Sequence, residues 1–161
     1  MDILLQNRSR LAASLLLTTV ILAELIGSAR VGRAEDSVIS SVLPATSTPL
    51  NGDTIQVAIH VDMSGVTSND SLLGSFTASL DWDNVILKYV SNSGLLNGFT
   101  GLVATDEVAA GRLDFNGAAV SGVGGSFDIL EIKFEVIGPV DATTTLDLEY
   151  SAMAAAFKDE S

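Results

Sequence analysis

Residues 73–94, LGSFTASLDWDNVILKYVSNSG, read as a strand, a tight turn and a second strand. Phe76, Ala78, Leu80 and Trp82 fall on one side of the first strand, and Ser75, Thr77, Ser79 and Asp81 on the other. Alternation with a period of two marks a strand with one buried face. Trp82 is the only tryptophan of the chain and ends the apolar row, where its burial contributes roughly 2–3 kcal/mol. Asp83 and Asn84 carry side chains that bond nearby backbone, which is turn chemistry. Val85, Leu87 and Tyr89 then resume the alternation.

Partner strands lie on both sides of this unit. Upstream, the Asn51-Gly52-Asp53 turn signal opens TIQVAIHVD, with Ile55, Val57, Ile59 and Val61 facing one way and His60 and Asp62 the other. A short edge strand is expected at Val38–Leu43. Downstream, Leu113 and Phe115 mark a strand from Arg112 to Asn116. Leu130, Ile132, Phe134 and Val136 mark another, and Leu146, Leu148 and Tyr150 a third. Residues 91–101 read as a packed loop with a short strand, residues 102–111 as a loop or helical turn, and the four glycines within 117–125 as a flexible connection. The end, from Ser151, reads as a further short strand or a fraying tail. Seven or eight strands with no amphipathic helix between them make an all-β sandwich.

The N-terminus is different. Arg8 and Arg10 precede the apolar run Leu11–Ala23, which Glu24 interrupts, and small residues follow with possible cleavage after Ala29 or Ala34. Residues 1–34 therefore read as a secretory signal peptide, expected as a helix packed on nothing. A retained N-terminal anchor is the alternative and the only expected tie to a membrane. The domain proper is expected over residues 35–161, secreted or at the cell surface.

The net charge of −12 at pH 7 grows more extreme once residues 1–34 are set aside, since they hold Arg8, Arg10, Arg30 and Arg33 against Asp2 and Glu24. Such a surface repels nucleic acid and anionic lipid. The chain has no cysteine, so it forms no disulfide and no thiolate metal site. Its one histidine, His60, has no partner nearby in sequence and reads as an ordinary outward strand residue. Ser-His-Asp and Cys-His chemistry thus lacks support, and no cofactor is called for. Asp81, Asp83 and Asn84 form the one cluster suited to calcium, beside Asp106-Glu107, but they read more simply as turn-bonding groups. Asn69-Asp70-Ser71 is a formal glycosylation sequon.

Five pieces, in order, resemble the cohesin domain, the β-sandwich module of cellulosome scaffolds. They are GDTIQVAIHV, LGSFTASLDWDNVILKYVSNSG, GRLDFNGAAVSGVGG, ILEIKFEVIG and TTTLDLEYSAMAAAF, spanning about Val38 to Phe157. The resemblance implies a nine-stranded jelly roll, export, no catalysis, a role in polysaccharide degradation, and a flat sheet face that docks a dockerin. Calcium would then be carried by the partner. Carried onto this sequence, the docking residues are Ser75, Thr77, Ser79 and Asp81 of the long strand, with Asp114 and Asn116 beside them. Where such faces often carry Asn and Asp at their centre, this sequence has Ser75 and Thr77. Cohesins also continue into a last strand that pairs with the first, and the resemblance implies that this strand is missing here.

Two other functions fit the same sandwich. A carbohydrate-binding module would bind polysaccharide by stacking sugars on exposed aromatics, for which Tyr89, Phe99 and Phe157 are the candidates. A cell-surface spacer would bind nothing.

Overall fold

The computed structural model describes residues 20–23, 38–45, 49–66 and 71–156. Nine described strands are divided between two antiparallel sheets: β1 (Val20–Ala23), β2 (Val38–Pro44), β3 (Thr54–Asp62), β4 (Leu73–Trp82), β5 (Leu87–Leu95), β6 (Thr100–Ala104), β7 (Arg112–Val123), β8 (Ser126–Val136) and β9 (Leu146–Ala155). One sheet has the order β1-β2-β3-β8-β5, the other β6-β7-β4-β9. Among the described residues the only helical piece is a 3-10 turn, Val108–Ala110, and no helix is long and apolar enough to cross a membrane.

The core fills the space between the sheets. Ile55, Val57, Ile59 and Val61 of β3 and Leu130, Ile132 and Phe134 of β8 face Phe76, Leu80, Leu113, Phe115 and Leu148 of the other sheet, all essentially inaccessible. Trp82 crosses from β4 to meet Phe134 of β8 edge-on, with ring centroids 4.9 Å apart. Its indole Nε1–H donates to the Leu87 carbonyl at 3.0 Å, so the residue that ends β4 also fixes the start of β5.

The turn between them departs from simple alternation. Val85 is not an inward strand residue: it sits in the turn, 67% exposed, while Ile86 is buried. Asp83 explains this, because its carboxylate accepts the Val85 N–H at 3.0 Å and its carbonyl accepts the N–H groups of Ile86 and Leu87.

Three stretches read as loops hold strands, the shortest being residues 102–104, which complete β6. β5 runs on to Leu95 through register shifts at Tyr89/Ser91 and Asn92/Leu95, and those irregularities scramble the period that sequence reading relies on. β7 continues through Gly117 to Val123. Gly117 does not loosen the strand: it is buried, and a Cβ there would lie 2.9 Å from Cζ of Phe76, so the missing side chain makes room for an aromatic ring. The region after Tyr150 stays paired with β4 as far as Ala155, through register shifts at Ser151 and at Gly74.

The N-terminal expectation also needs correction. Val20–Ala23, read as part of a signal helix packed on nothing, is a strand paired antiparallel with β2. It takes the place beside the first strand of the sandwich that the sequence reading left unfilled. The rest of residues 1–34 lies outside the described residues, as do most of the sequon and Phe157.

Candidate docking face

β4 lies inside its sheet, with β7 on one side and β9 on the other. Because its apolar residues point to the core, Ser75, Thr77, Ser79 and Asp81 point out. Register brings β7 residues opposite them: Ala118 with Ser75, Asn116 with Thr77, Asp114 with Ser79 and Arg112 with Asp81. All six residues singled out in the sequence therefore share one face. Ser79 differs from the rest, being only 5% exposed between Asp114 on one side and Glu149 of β9 on the other.

The face has two halves. One is built from small side chains: Ser75, Thr77, Ala118, and Ala152 and Ala154 of β9, with the exposed Leu102 of β6 beside Asn116. Small residues at successive register positions leave a flat surface. The other half is acidic. Asp147 of β9 stands opposite Asp81, Glu149 opposite Ser79, and Glu107 lies near the start of β7.

Arg112 organises the acidic half, and the sequence reading did not single it out. Its Nη1 is 3.0 Å from Asp81, its Nη2 2.8 Å from Asp114, and its Nε 3.9 Å from Glu107. Hydrogen bonding to Asp114, followed by the charge of Asp81, raises the guanidinium pKa further above its ordinary value. Strand alternation does put Arg112 on the same side as Asp114 and Asn116. What sequence lacks is the register that sets it against Asp81. The other described cations, Lys88 and Lys133, belong to the opposite sheet, and Lys88 is paired there with Glu135 at 2.9 Å. Beside the acidic half, Asp81, Trp82, Asp83, Thr143–Thr145 and Asp147 line an open depression of about 550 Å³.

The calcium candidates are otherwise engaged. Asp83 closes its turn, the Asn84 amide donates to the Ala109 carbonyl at 2.7 Å, and Asp81 holds Arg112. Among the described residues, no group of three or more carboxylates and histidines is arranged to hold a metal ion.

His60, an outward residue of β3, finds its partners far away in the sequence. Its Nδ1 is 2.7 Å from the Asp128 carboxylate and its Nε2 2.8 Å from the Ser126 hydroxyl. The tautomer protonated on Nδ1 satisfies both, donating to Asp128 and accepting from Ser126. A bulge makes this possible. Ile59 pairs with Leu130 but His60 with Asp128, so Ile129 is the extra residue and Asp128 is re-aimed outward beneath the imidazole. The three groups stand in nucleophile–base–orienter sequence, on the outward side of two adjacent strands. There they tie β3 to β8.

The aromatics that a sugar platform would need are turned inward. Every described Phe and the Trp are buried, and Phe99 packs edge-on against Phe76 at 5.1 Å. Tyr89 is half-buried and its hydroxyl accepts the Asn92 amide at 2.6 Å.

A type II cohesin domain from the cellulosome of Acetivibrio cellulolyticus superposes with a TM-score of 0.51 at 14% identity, over 70% of this chain and 75% of that one. The fold is that of a cohesin module. The second type II cohesin module of the adaptor ScaA scaffoldin of the same organism matches at 0.50 and 11% identity, over 67% and 70% of the two chains. CaCohA2 of Clostridium acetobutylicum, solved in complex with CaDoc0917, matches at 0.50 and 12%, over 64% and 76%. No protein-family model and no curated protein sequence matches the chain. The likeness thus lies in the arrangement of the strands.

Proposed function

We propose that this protein is a non-catalytic module that docks a dockerin-type protein domain on the outer face of the β6-β7-β4-β9 sheet. The observation that carries this reading is the flat row formed by Ser75, Thr77, Asn116, Ala118 and Ala152, bordered by carboxylates gathered around Arg112. A flat, small-residue patch accepts a rigid partner surface such as a helix, and the acidic border selects a partner with basic residues at one end. Ser75, Thr77, Asn116 and Ala152 make the close contact. Asp81 and Asp114, held by Arg112, set orientation, and the buried Ser79 supports the face from beneath. Any calcium belongs to the partner. The working place of such a module is outside the cell or on its surface, in the degradation of polysaccharide.

Titration calorimetry of the full chain against a panel of dockerins, in calcium and then in chelator, tests the proposal. Calcium-dependent heat is expected, with affinity falling about 100-fold or more in Thr77→Arg, a substitution that puts a long cation in the middle of the flat row. A Gln56→Arg change on the opposite sheet leaves binding intact. Binding lost equally in both variants, or no binding by a protein whose fold is verified, overturns it.

A further inference from the structure

β1 is the strand least expected from the sequence. Val20–Ala23 belongs to the apolar run at the N-terminus, yet it forms the outermost ladder of the five-stranded sheet. Val20 lies opposite Ser41, Ile21 opposite Ser40, Leu22 opposite Ile39 and Ala23 opposite Val38. Four paired residues, at the far edge of one sheet, are a slender attachment.

The strand they attach to has none of the features that keep sheet edges from pairing. Sheet edges are ordinarily shielded by lysines, other inward or outward charges, or a proline within the strand. β2 reads VISSVLP: it contains no charged residue, and its proline comes only at the last position. Its outward residues Ile39 and Leu43 are apolar and 41% and 47% exposed, flanking Ser41. Its inward residues Val38, Ser40 and Val42 are buried. Ser40 is pinned twice over, donating to the His60 carbonyl at 3.0 Å and sharing a hydrogen bond with the Tyr150 hydroxyl at 2.9 Å. The edge is therefore preorganised as well as apolar, and a strand added to it meets a backbone already set in extended form.

We propose that the outer edge of β2 is a strand-acceptor site, and that Val20–Ala23 is its resident but exchangeable occupant. The ligand class is an extended, uncharged, apolar peptide running antiparallel to β2. Backbone ladder bonds supply the affinity, and the exposed Ile39 and Leu43 supply the preference for apolar side chains. Residues 20–23 cannot pair with β2 and be helical at the same time, so drawing the apolar run into a membrane vacates the edge. This site lies on the other sheet from the proposed docking face, and its test is independent of dockerin binding.

Because the chain has no cysteine, paired cysteines report on this ladder without background. The full chain carrying Leu22→Cys and Ile39→Cys, treated with a short bis-maleimide, is expected to cross-link within the monomer. The out-of-register pair Leu22→Cys and Leu43→Cys is expected not to. A covalent dimer, or equal yields from the two pairs, overturns the assignment of Val20–Ala23 as the occupant of its own sheet. Exchange is read by fluorescence anisotropy with a labelled, end-capped peptide of residues 17–23, which carries no charged side chain. Ile21→Pro, which weakens the resident strand, is expected to bind it about tenfold more tightly than the unaltered chain. Adding Ile39→Lys, an exposed charge on the edge, is expected to abolish binding while Trp82 emission stays native. Equal binding by the unaltered and Ile21→Pro chains, or binding indifferent to Ile39→Lys, overturns the acceptor site.

Discussion

The Ser40 and Tyr150 hydroxyls meet at 2.9 Å between the two sheets, joining β2 of one to β9 of the other. Both residues sit on strands at or next to a sheet edge, where apolar packing is thinnest. Burial pushes the Tyr150 phenol up to about 12, and the hydrogen bond to Ser40 only partly offsets it. The folded-state value is therefore above the ordinary value of about 10, and the sign follows. The contribution is complete below about pH 10 and is lost as pH rises through the folded value, amounting to about 2–3 kcal/mol by pH 12. Tyr150→Phe is expected to lower stability by about 1 kcal/mol at neutral pH and to flatten the alkaline decline. Urea unfolding at pH 7 and across pH 9–12, followed by Trp82 fluorescence, checks both.

Gly117→Ala is expected to destabilise the protein by about 1–3 kcal/mol, because the new methyl group enters space held by the Phe76 ring and the Leu95 side chain. Ser121→Ala, at an exposed position of the same strand, is expected to be nearly neutral. Thermal unfolding of the two variants separates a packing requirement from a general effect on strand propensity.

Arg112→Met removes the one described cation from the face of the four-stranded sheet and leaves Asp81 and Asp114 without their common partner. The variant is expected to be less stable at low salt and to recover towards the parent near 0.5 M salt, where charges more than about 4–5 Å apart are screened. Urea midpoints of both proteins at low and high ionic strength give the comparison. A salt-independent difference would mean that the aliphatic stem of Arg112, rather than its charge, matters.

His60→Ala breaks the Ser126–His60–Asp128 chain across β3 and β8. Since these groups are part-exposed, the loss is expected to be about 1 kcal/mol, and Asp128→Asn less, because the amide still bonds the ring. Labelling of Ser126 by a fluorophosphonate probe, suppressed in His60→Ala, would show that the chain activates a nucleophile rather than bracing the sheet.

Strands that keep a strict period were readable residue by residue. β3, β4 from Ser75 onward and the back half of β8 have their inward and outward rows where alternation puts them, and so Ser75, Thr77, Asp81, Asp114 and Asn116 lie together. Where a bulge intrudes, the period shifts and local pattern loses its meaning. That is why β5 looked like a loop after Tyr89, and why Asp128 was never associated with His60. Gly117 misled for another reason. Its value lies in what it leaves open for Phe76, a residue far away in the chain, and sequence shows only the missing side chain. Alternation alone makes Arg112 an outward residue, but its ion pairs depend on the register of β7 against β4, which composition does not encode.

The pairing order of the sheets also sets a timetable. β4 is complete early in synthesis, yet one of its two partners, β9, is among the last described residues to be made. β3 waits in the same way for β8. Neither sheet is finished while the C-terminal third of the chain is still being translated, so the growing polypeptide has no closed unit to lock prematurely. Until β8 and β9 arrive, the apolar rows of β3 and β4 have no complete sheet to bury them, so the interval between making β4 and making β9 is when this sandwich is most open to wrong pairing.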